Sequence, residues 1–349
     1  MKIRGEEILL PVTNIGSWPR PTWMKGGVFG TALEADFPSF EVREKFEDCM
    51  RLCIQDQERL GFDVITDGNQ YHESATPFDY EVTFHHIPSR IGGTVPYGPP
   101  VPLPGWDKFN LITVTDELKW IRPIFGPVME IMTKYTTKPR KLTLFSPAGQ
   151  LIFLHDKYYN DAEKLAFAMA RIYNTELKDL VSRGLVDIVQ FIDASPSYSA
   201  APYITDVINS AIEGVGAEIW LHACQGNAGD RFYVEGTTEF LFPKIYDFKV
   251  SQLHIALAHP LRAPDLELFE KYEPPAELTY GVGVIDVKDP TPEKVDVVVD
   301  RIERVLAVLD INKVTLMSDC GWMNRRRDTV WDKNSVLVEA ANIVRQRHQ

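Results

Sequence analysis

From about Gly184 onward the chain alternates short β-branched runs with longer amphipathic ones, and that alternation leaves few folds open. Residues 186–193 (VDIVQFID), 217–222 (AEIWLH), 251–257 (SQLHIAL), 278–285 (LTYGVGVI) and 313–318 (KVTLMS) read as buried strands. Between them the spacing predicts helices over roughly 203–214, 237–247, 265–272, 292–309 and 333–347. Repeated βα units of this kind feed a parallel sheet. Upstream, 41–61 and 161–184 read as helices that end in glycine, the second through Arg183-Gly184, a cation followed by a left-handed stop. Strands at 12–17 (VTNIGS), 62–67 (FDVITD) and 141–146 (KLTLFS) complete a set of eight. Closing eight strands, most followed by a helix, into a (β/α)8 TIM barrel is the economical α/β solution. We expect one domain over 1–349. The proline- and aromatic-rich stretch 71–140 is expected to be an elaborated insertion over the barrel mouth.

In a barrel, function collects at the carboxyl ends of the strands. Asp67-Gly68-Asn69, Asp193, His222, Cys224, Asp319 and Cys320 all fall at such ends. His222 and Cys224 stand two apart on an extended run, so their side chains project to one side, and Cys320 ends the last strand in the same way. Two thiolates and an imidazole form a borderline-soft set that suits zinc, with a position left for a fourth ligand or a substrate. The plainer alternative is two small buried cysteines and a hydrogen-bonded core histidine. Cys49 and Cys53, four apart on a helix, are read as core packing.

Charge narrows the partners. The chain carries 37 Lys and Arg against 49 Asp and Glu, a formal −12 at pH 7. That excess opposes polyanions, so neither nucleic acid nor an anionic membrane is an expected partner. No apolar run approaches the ~20 residues of a membrane span. The expected location is cytoplasmic, where four cysteines would stay reduced. A homo-oligomer is left open.

With these residues in view, the sequence resembles the catalytic domain of the cobalamin-independent methionine synthase family. The match runs through LPVTNIGSWPRP at 10–21, GFDVITDG at 61–68, VQFID at 189–193, His222-Ala223-Cys224, GVGVID at 281–286 and Ser318-Asp319-Cys320-Gly321, in family order along nearly the whole chain. The resemblance implies a barrel whose zinc presents a substrate thiol as thiolate to an alkyl donor. It makes His222, Cys224 and Cys320 the zinc ligands, and Ser17, Arg20, Asn69 and Asp193 the residues around the substrate. His72 and Glu73, with Asp193, are the candidates for catalytic proton transfer or orientation, although a surface-loop or turn-capping role is an equal reading. The implied partners are a small-molecule thiol and a donor: a methylfolate, methylcobalamin or a corrinoid protein, or an epoxide.

Three departures from the family pattern bear on the substrate. The strand on which the family carries a glutamate ligand reads His254-Ile255-Ala256 here, and Ala256 cannot bind metal; His254, His259, water or no fourth protein ligand remain as solutions. Asn69 stands where an acidic residue is usual, and Asp193-Ala194-Ser195-Pro196 carries one carboxylate in place of two. Both changes remove groups expected to hold an ammonium, which turns attention from homocysteine to a thiol without one. Epoxyalkane:coenzyme M transferases, similar in their His-x-Cys and Cys set, use such a thiol, and a C–S lyase activity belongs to the same alternative. An anionic tail would need a cation, for which Arg20, Lys288, Arg325, Arg326 and Arg327 are candidates; the last three also read as a solvated loop. A metal-free, uroporphyrinogen-decarboxylase-like barrel and a catalytically retired binding protein are the readings from other classes.

Overall fold

The computed structural model describes residues 1–24, 40–70, 87, 90–95, 99–103, 106–194, 201–227, 230–232, 236–322 and 325–349. A hairpin of β1 (Lys2–Ile3) and β2 (Glu6–Glu7) precedes β3 (Ile65–Thr66). Next come β4 (Ile91–Val95), β5 (Pro100–Leu103), β6 (Trp106–Asn110), β7 (Ile112–Trp120), β8 (Arg140–Phe145) and β9 (Leu154–Asp156). The remainder supplies β10 (Ile188–Asp193), β11 (Glu218–Ala223), β12 (Gln252–Ala256), β13 (Thr279–Ile285) and β14 (Val314–Ser318). Seven of these form one parallel sheet in the order β3-β8-β10-β11-β12-β13-β14, so sequence neighbours are spatial neighbours throughout.

The sheet curls, and its two outer strands approach one short segment. Leu316 donates to Pro11 O at 2.8 Å and Thr13 donates to Leu316 O at 3.1 Å, while Asp63 and Val64 donate to Val12 O at 2.9 and 3.3 Å. The strand expected over 12–17 is thus reduced to a single parallel bridge, Val12 to Leu316. Leu10 at φ 46° and Gly16 at φ 54° flank the bridge, and left-handed residues interrupt extended pairing.

The peripheral helices follow the apolar periodicity. In Phe40–Leu60 the buried positions include Phe46, Cys49, Met50, Cys53 and Ile54, so Cys49 and Cys53 do pack in the core. Ala162–Ser182 starts at Asp161, whose carboxylate accepts the Glu163 and Lys164 amides. It stops at Gly184, φ 63°, where Gly184 N reaches Val181 O and Leu185 N reaches Leu180 O. Two expected helices are broken up. Span 237–247 becomes 3₁₀ turns at Glu239–Leu241 and Lys244–Asp247, separated by Pro243, which has no N–H to donate. Span 265–272 becomes a 3₁₀ turn, Ala263–Glu267, and a short helix, Leu268–Lys271. Val295–Leu306 begins later than the expected 292, and Arg327–Arg347 begins earlier than 333.

Residues 71–140 are not all insertion. Gly126–Tyr135 is a helix beside Phe40–Leu60, tied by Tyr135 Oη to Glu47 at 2.7 Å, and it leads into β8 as an ordinary barrel-type helix would. The additional structure is β4–β7, with β7 pairing both β4 and β9. Two cores result. The larger lies between sheet and helices, and a smaller one, Ile3, Ile15, Val64, Ile188, Trp220 and Met317, is covered by Met1 and Ile8 at the amino ends of the strands. The opposite ends are left for chemistry. Among the described residues no helix is long and apolar enough to cross a membrane.

Candidate metal centre

β11 and β14 deliver the three donors. The ligand atoms of His222, Cys224 and Cys320 all lie within 4.8 Å of one another, and the two sulfurs are 3.7 Å apart. Cys224 follows the last residue of β11, where its amide donates to Asp193 O at 2.8 Å and so fixes its height against the top of β10. Cys320 is the most accessible of the four cysteines; the others are buried. Within the pair Cys224 is the more acidic. The Cys320 thiol hydrogen-bonds to it, the Gly226 amide and the Lys288 ammonium add to that stabilisation, and burial works in opposition. The Cys320 thiol is correspondingly held above its ordinary range by the Cys224 sulfur and by burial.

His222 is oriented from behind. Its partner across the parallel ladder is His254, and the two Nδ1 atoms are 2.6 Å apart. His254 Nε2 lies 3.1 Å from Ser318 O. With both nitrogens engaged, His254 stands behind His222 and does not fill the place left by Ala256. Burial pushes its pKa well below the ordinary histidine value, helped by the nearby His222 and Lys141. His222 Nε2 is buried and has no hydrogen-bond partner among the described residues. An unpartnered imidazole nitrogen beside two sulfurs is the arrangement an N/S metal site requires. His259 is also outside the donor set: its Nδ1 accepts the Leu261 amide at 3.2 Å, and its ring packs edge-on against Phe232.

Asp319 braces the same corner. Its carboxylate accepts the amides of Leu257, Ala258 and His259 at 2.8–3.0 Å, tying the end of β12 to the residue before Cys320. Burial raises its pKa to about 7 against the pull of those donors.

A narrow cleft opens beside the donors, lined in part by His222, Gln225, Phe232, Ala256, Lys288 and Cys320. Lys288 Nζ donates to Gly226 O at 2.8 Å and Asn227 Oδ1 at 2.9 Å and sits 4.2 Å from the Phe232 ring centre. The Arg262 guanidinium is 4.5 Å from the same ring. In the sequence Lys288 is one of five candidate cations, and its stack on Phe232 leaves no local signal. The arginines fare differently. Arg325 is held by Asp230 and by the carbonyls of Val287 and Lys288, Arg326 pairs with Asp328, and Arg327 pairs with Asp56.

The four candidate substrate residues collect at this end too. Ser17 adjoins Gly321, where an added Cβ would come 2.7 Å from Ser17 Oγ. Arg20 is buried, with Nη2 at 3.5 Å from Asn69 O. Asn69 gives its amide group to Thr143 O at 2.6 Å and leaves Oδ1 buried without a partner among the described residues. Asp193 is fully buried and accepts the Ser146 hydroxyl. His72 and Glu73 lie outside the described residues.

The model of the family described as "Cobalamin-independent synthase, Catalytic domain" matches residues 160–343, more than half of the chain. A 2-hydroxypropyl-CoM lyase of Xanthobacter autotrophicus is 26% identical over 99% of this chain and 97% of its own length. A methionine synthase of Saccharolobus solfataricus is 28% identical over 97% of this chain and 96% of its own. Among solved structures, a B12-independent methionine synthase from Shewanella sp. W3-18-1, in complex with selenomethionine, superposes with a TM-score of 0.81 at 25% identity, covering 97% of this chain and 99% of that one. The α/β sheet, the order of its motifs and the donors at its strand ends therefore identify this chain as a member of the cobalamin-independent methionine synthase catalytic-domain family, whose relatives named above are enzymes, synthase and lyase.

Proposed function

We propose that the protein is a zinc-dependent S-alkyltransferase that moves a methyl or other alkyl group to a small-molecule thiol. The observation that carries this is the convergence of His222, Cys224 and Cys320 with His222 Nε2 left unpartnered. Zinc bound by these three would stabilise the substrate sulfur as thiolate, the form that attacks carbon. The chain's own residues do the rest. Ser17, Arg20, Asn69 and Asp193 hold the substrate. His72 and Glu73 supply or accept the proton of the donor's departing group. The segment 12–17 acts as the eighth stave of a closed (β/α)8 barrel, in one domain spanning 1–349, and β4–β7 covers its mouth.

The substrate reading favours a thiol with an anionic tail and no ammonium, as in coenzyme-M-type transfer or C–S lysis. Asn69 offers no negative charge, Asp193 already serves Ser146, and Lys288 puts a cation on the cleft wall. The donor is a methylfolate, a methylcobalamin or corrinoid protein, or an epoxide.

Elemental analysis of the purified protein tests the metal: about one zinc per chain is expected, lost in Cys224→Ser and in Cys320→Ser. Turnover of homocysteine and 2-mercaptoethanesulfonate with each donor class tests the substrate. Full activity without metal would overturn the zinc reading and favour a decarboxylase-like barrel, and robust methionine synthesis would overturn the preference for an anionic thiol.

A further inference from the structure

His254 is a buried histidine outside the donor set that still touches the centre. Its Nε2 is 3.1 Å from Ser318 O, and a carbonyl only accepts, so the Nε2 proton belongs to His254. One proton lies between the two Nδ1 atoms at 2.6 Å. If His254 held that proton as well it would be a cation, 1% exposed, whose ring nitrogens meet only His222 and the Ser318 carbonyl among the described residues. The proton therefore sits on His222 Nδ1, His254 Nδ1 accepts it, and His222 Nε2 presents a lone pair.

We infer that His254 is a positioning residue: the path Ser318 carbonyl, His254, His222 locks His222 in its Nδ1–H tautomer and turns Nε2 toward the two sulfurs before any ligand arrives. The inference rests on the zinc reading for its consequence, and the tautomer itself is independent of it. A neutral orienter also matters for charge. Two thiolates and a dication sum to zero, whereas a carboxylate behind His222 would add a negative charge and raise its basicity. A site left neutral accepts an anionic substrate sulfur without that added repulsion.

Proton-nitrogen correlation NMR on the metal-free, ring-¹⁵N-labelled full chain reads the tautomer directly. We expect His222 with its proton on Nδ1 and an unprotonated Nε2; an Nε2–H tautomer, a mixture of the two, or a doubly protonated ring overturns the inference. Adding zinc should move the Nε2 resonance. If it does not while the Nδ1–H tautomer is present, the zinc reading fails and the relay stands. In zinc-loaded protein, chelator competition should show affinity reduced by about 10- to 100-fold in His254→Leu. His254→Gln can accept from His222 through Oε1 and donate to Ser318 through its amide, so it should recover most of that loss. Equal affinity in wild type and His254→Leu would also overturn the assignment.

Discussion

The sulfurs of Cys224 and Cys320 lie 3.7 Å apart across a sequence separation of 96 residues. That is well beyond the ~2.05 Å of a disulfide and suited to a shared metal. Cys49 and Cys53 present the opposite case: burial pushes the Cys49 thiol up to about 12 and Cys53 well above its ordinary value. Alkylation of the native, metal-free protein should accordingly label Cys224, the more acidic of the pair, ahead of Cys320, and spare the buried Cys49 and Cys53 until unfolding. One equivalent of zinc should suppress the labelling. Peptide mass spectrometry checks both, and even labelling of all four thiols, or no zinc effect, would count against the site.

β10–β14 were legible because each is a largely apolar run rich in β-branched residues, and the candidate metal donors stood out because chemistry-bearing residues lie where such runs end. His254 was not: a histidine inside an apolar strand reads as core, and its meaning depends on the register that sets it beside His222. The basic run 325–327 was visible, but its fate was not. Arg325 is claimed by Asp230 at a separation of 95 residues and Arg327 by Asp56 at 271, while Arg326 alone makes an exposed local pair. The segment 12–17 misled because its pairing partners lie at opposite ends of the chain and a left-handed Leu10 leaves no mark in the sequence.

Gly283 holds β13 close under the last donor. A Cβ there would meet Asp319 Cα at 2.7 Å and Asp319 N at 3.0 Å, beside the register shift between Gly283 and Ile285. Backbone cannot swing aside as a side-chain tip can. Gly283→Ala should cost about 1–3 kcal/mol and, by displacing the residue before Cys320, lower zinc retention. Gly216→Ala is the control, since its nearest contact would be an ordinary 3.5 Å to Val181. Urea unfolding and zinc analysis on both variants would decide; equal behaviour would show that the β13–β14 approach has slack.

Arg327 anchors the start of the last helix by a two-pronged contact with Asp56, Nε to Oδ2 at 2.7 Å and Nη2 to Oδ1 at 2.6 Å. The Asp56 side chain is 2% exposed, and Trp18 Nε1 also donates to it at 3.2 Å. Removing the guanidinium leaves a buried carboxylate short of donors. Arg327→Ala should lose about 1.5–3 kcal/mol. Arg327→Lys should recover only part, because an ammonium cannot reproduce the paired geometry. Denaturant midpoints give both values, and an unchanged midpoint in the alanine variant would place the pair among the many surface ion pairs that contribute little.

Glu176 fastens the segment after β7 to the helix Ala162–Ser182. Its Oε2 accepts Trp120 Nε1 at 2.7 Å and the Ile124 amide at 2.9 Å, and Oε1 accepts the Phe125 amide at 2.7 Å. Burial is the largest influence and raises its pKa above 4.5, although those three donors pull the other way. A carboxyl raised on folding contributes most below its unfolded value, and the contribution falls as pH climbs through the folded value. Glu176→Gln does not titrate and must turn an amide N–H toward a donor, so it should be less stable than wild type at every pH. Its deficit should be largest at and below pH 4.5 and shrink as pH climbs through the raised folded value, where wild type loses the protonation advantage. Urea unfolding of both proteins across that range measures the gap. A gap that widens with pH would mean that the three donors outweigh burial and hold the carboxyl below its ordinary value.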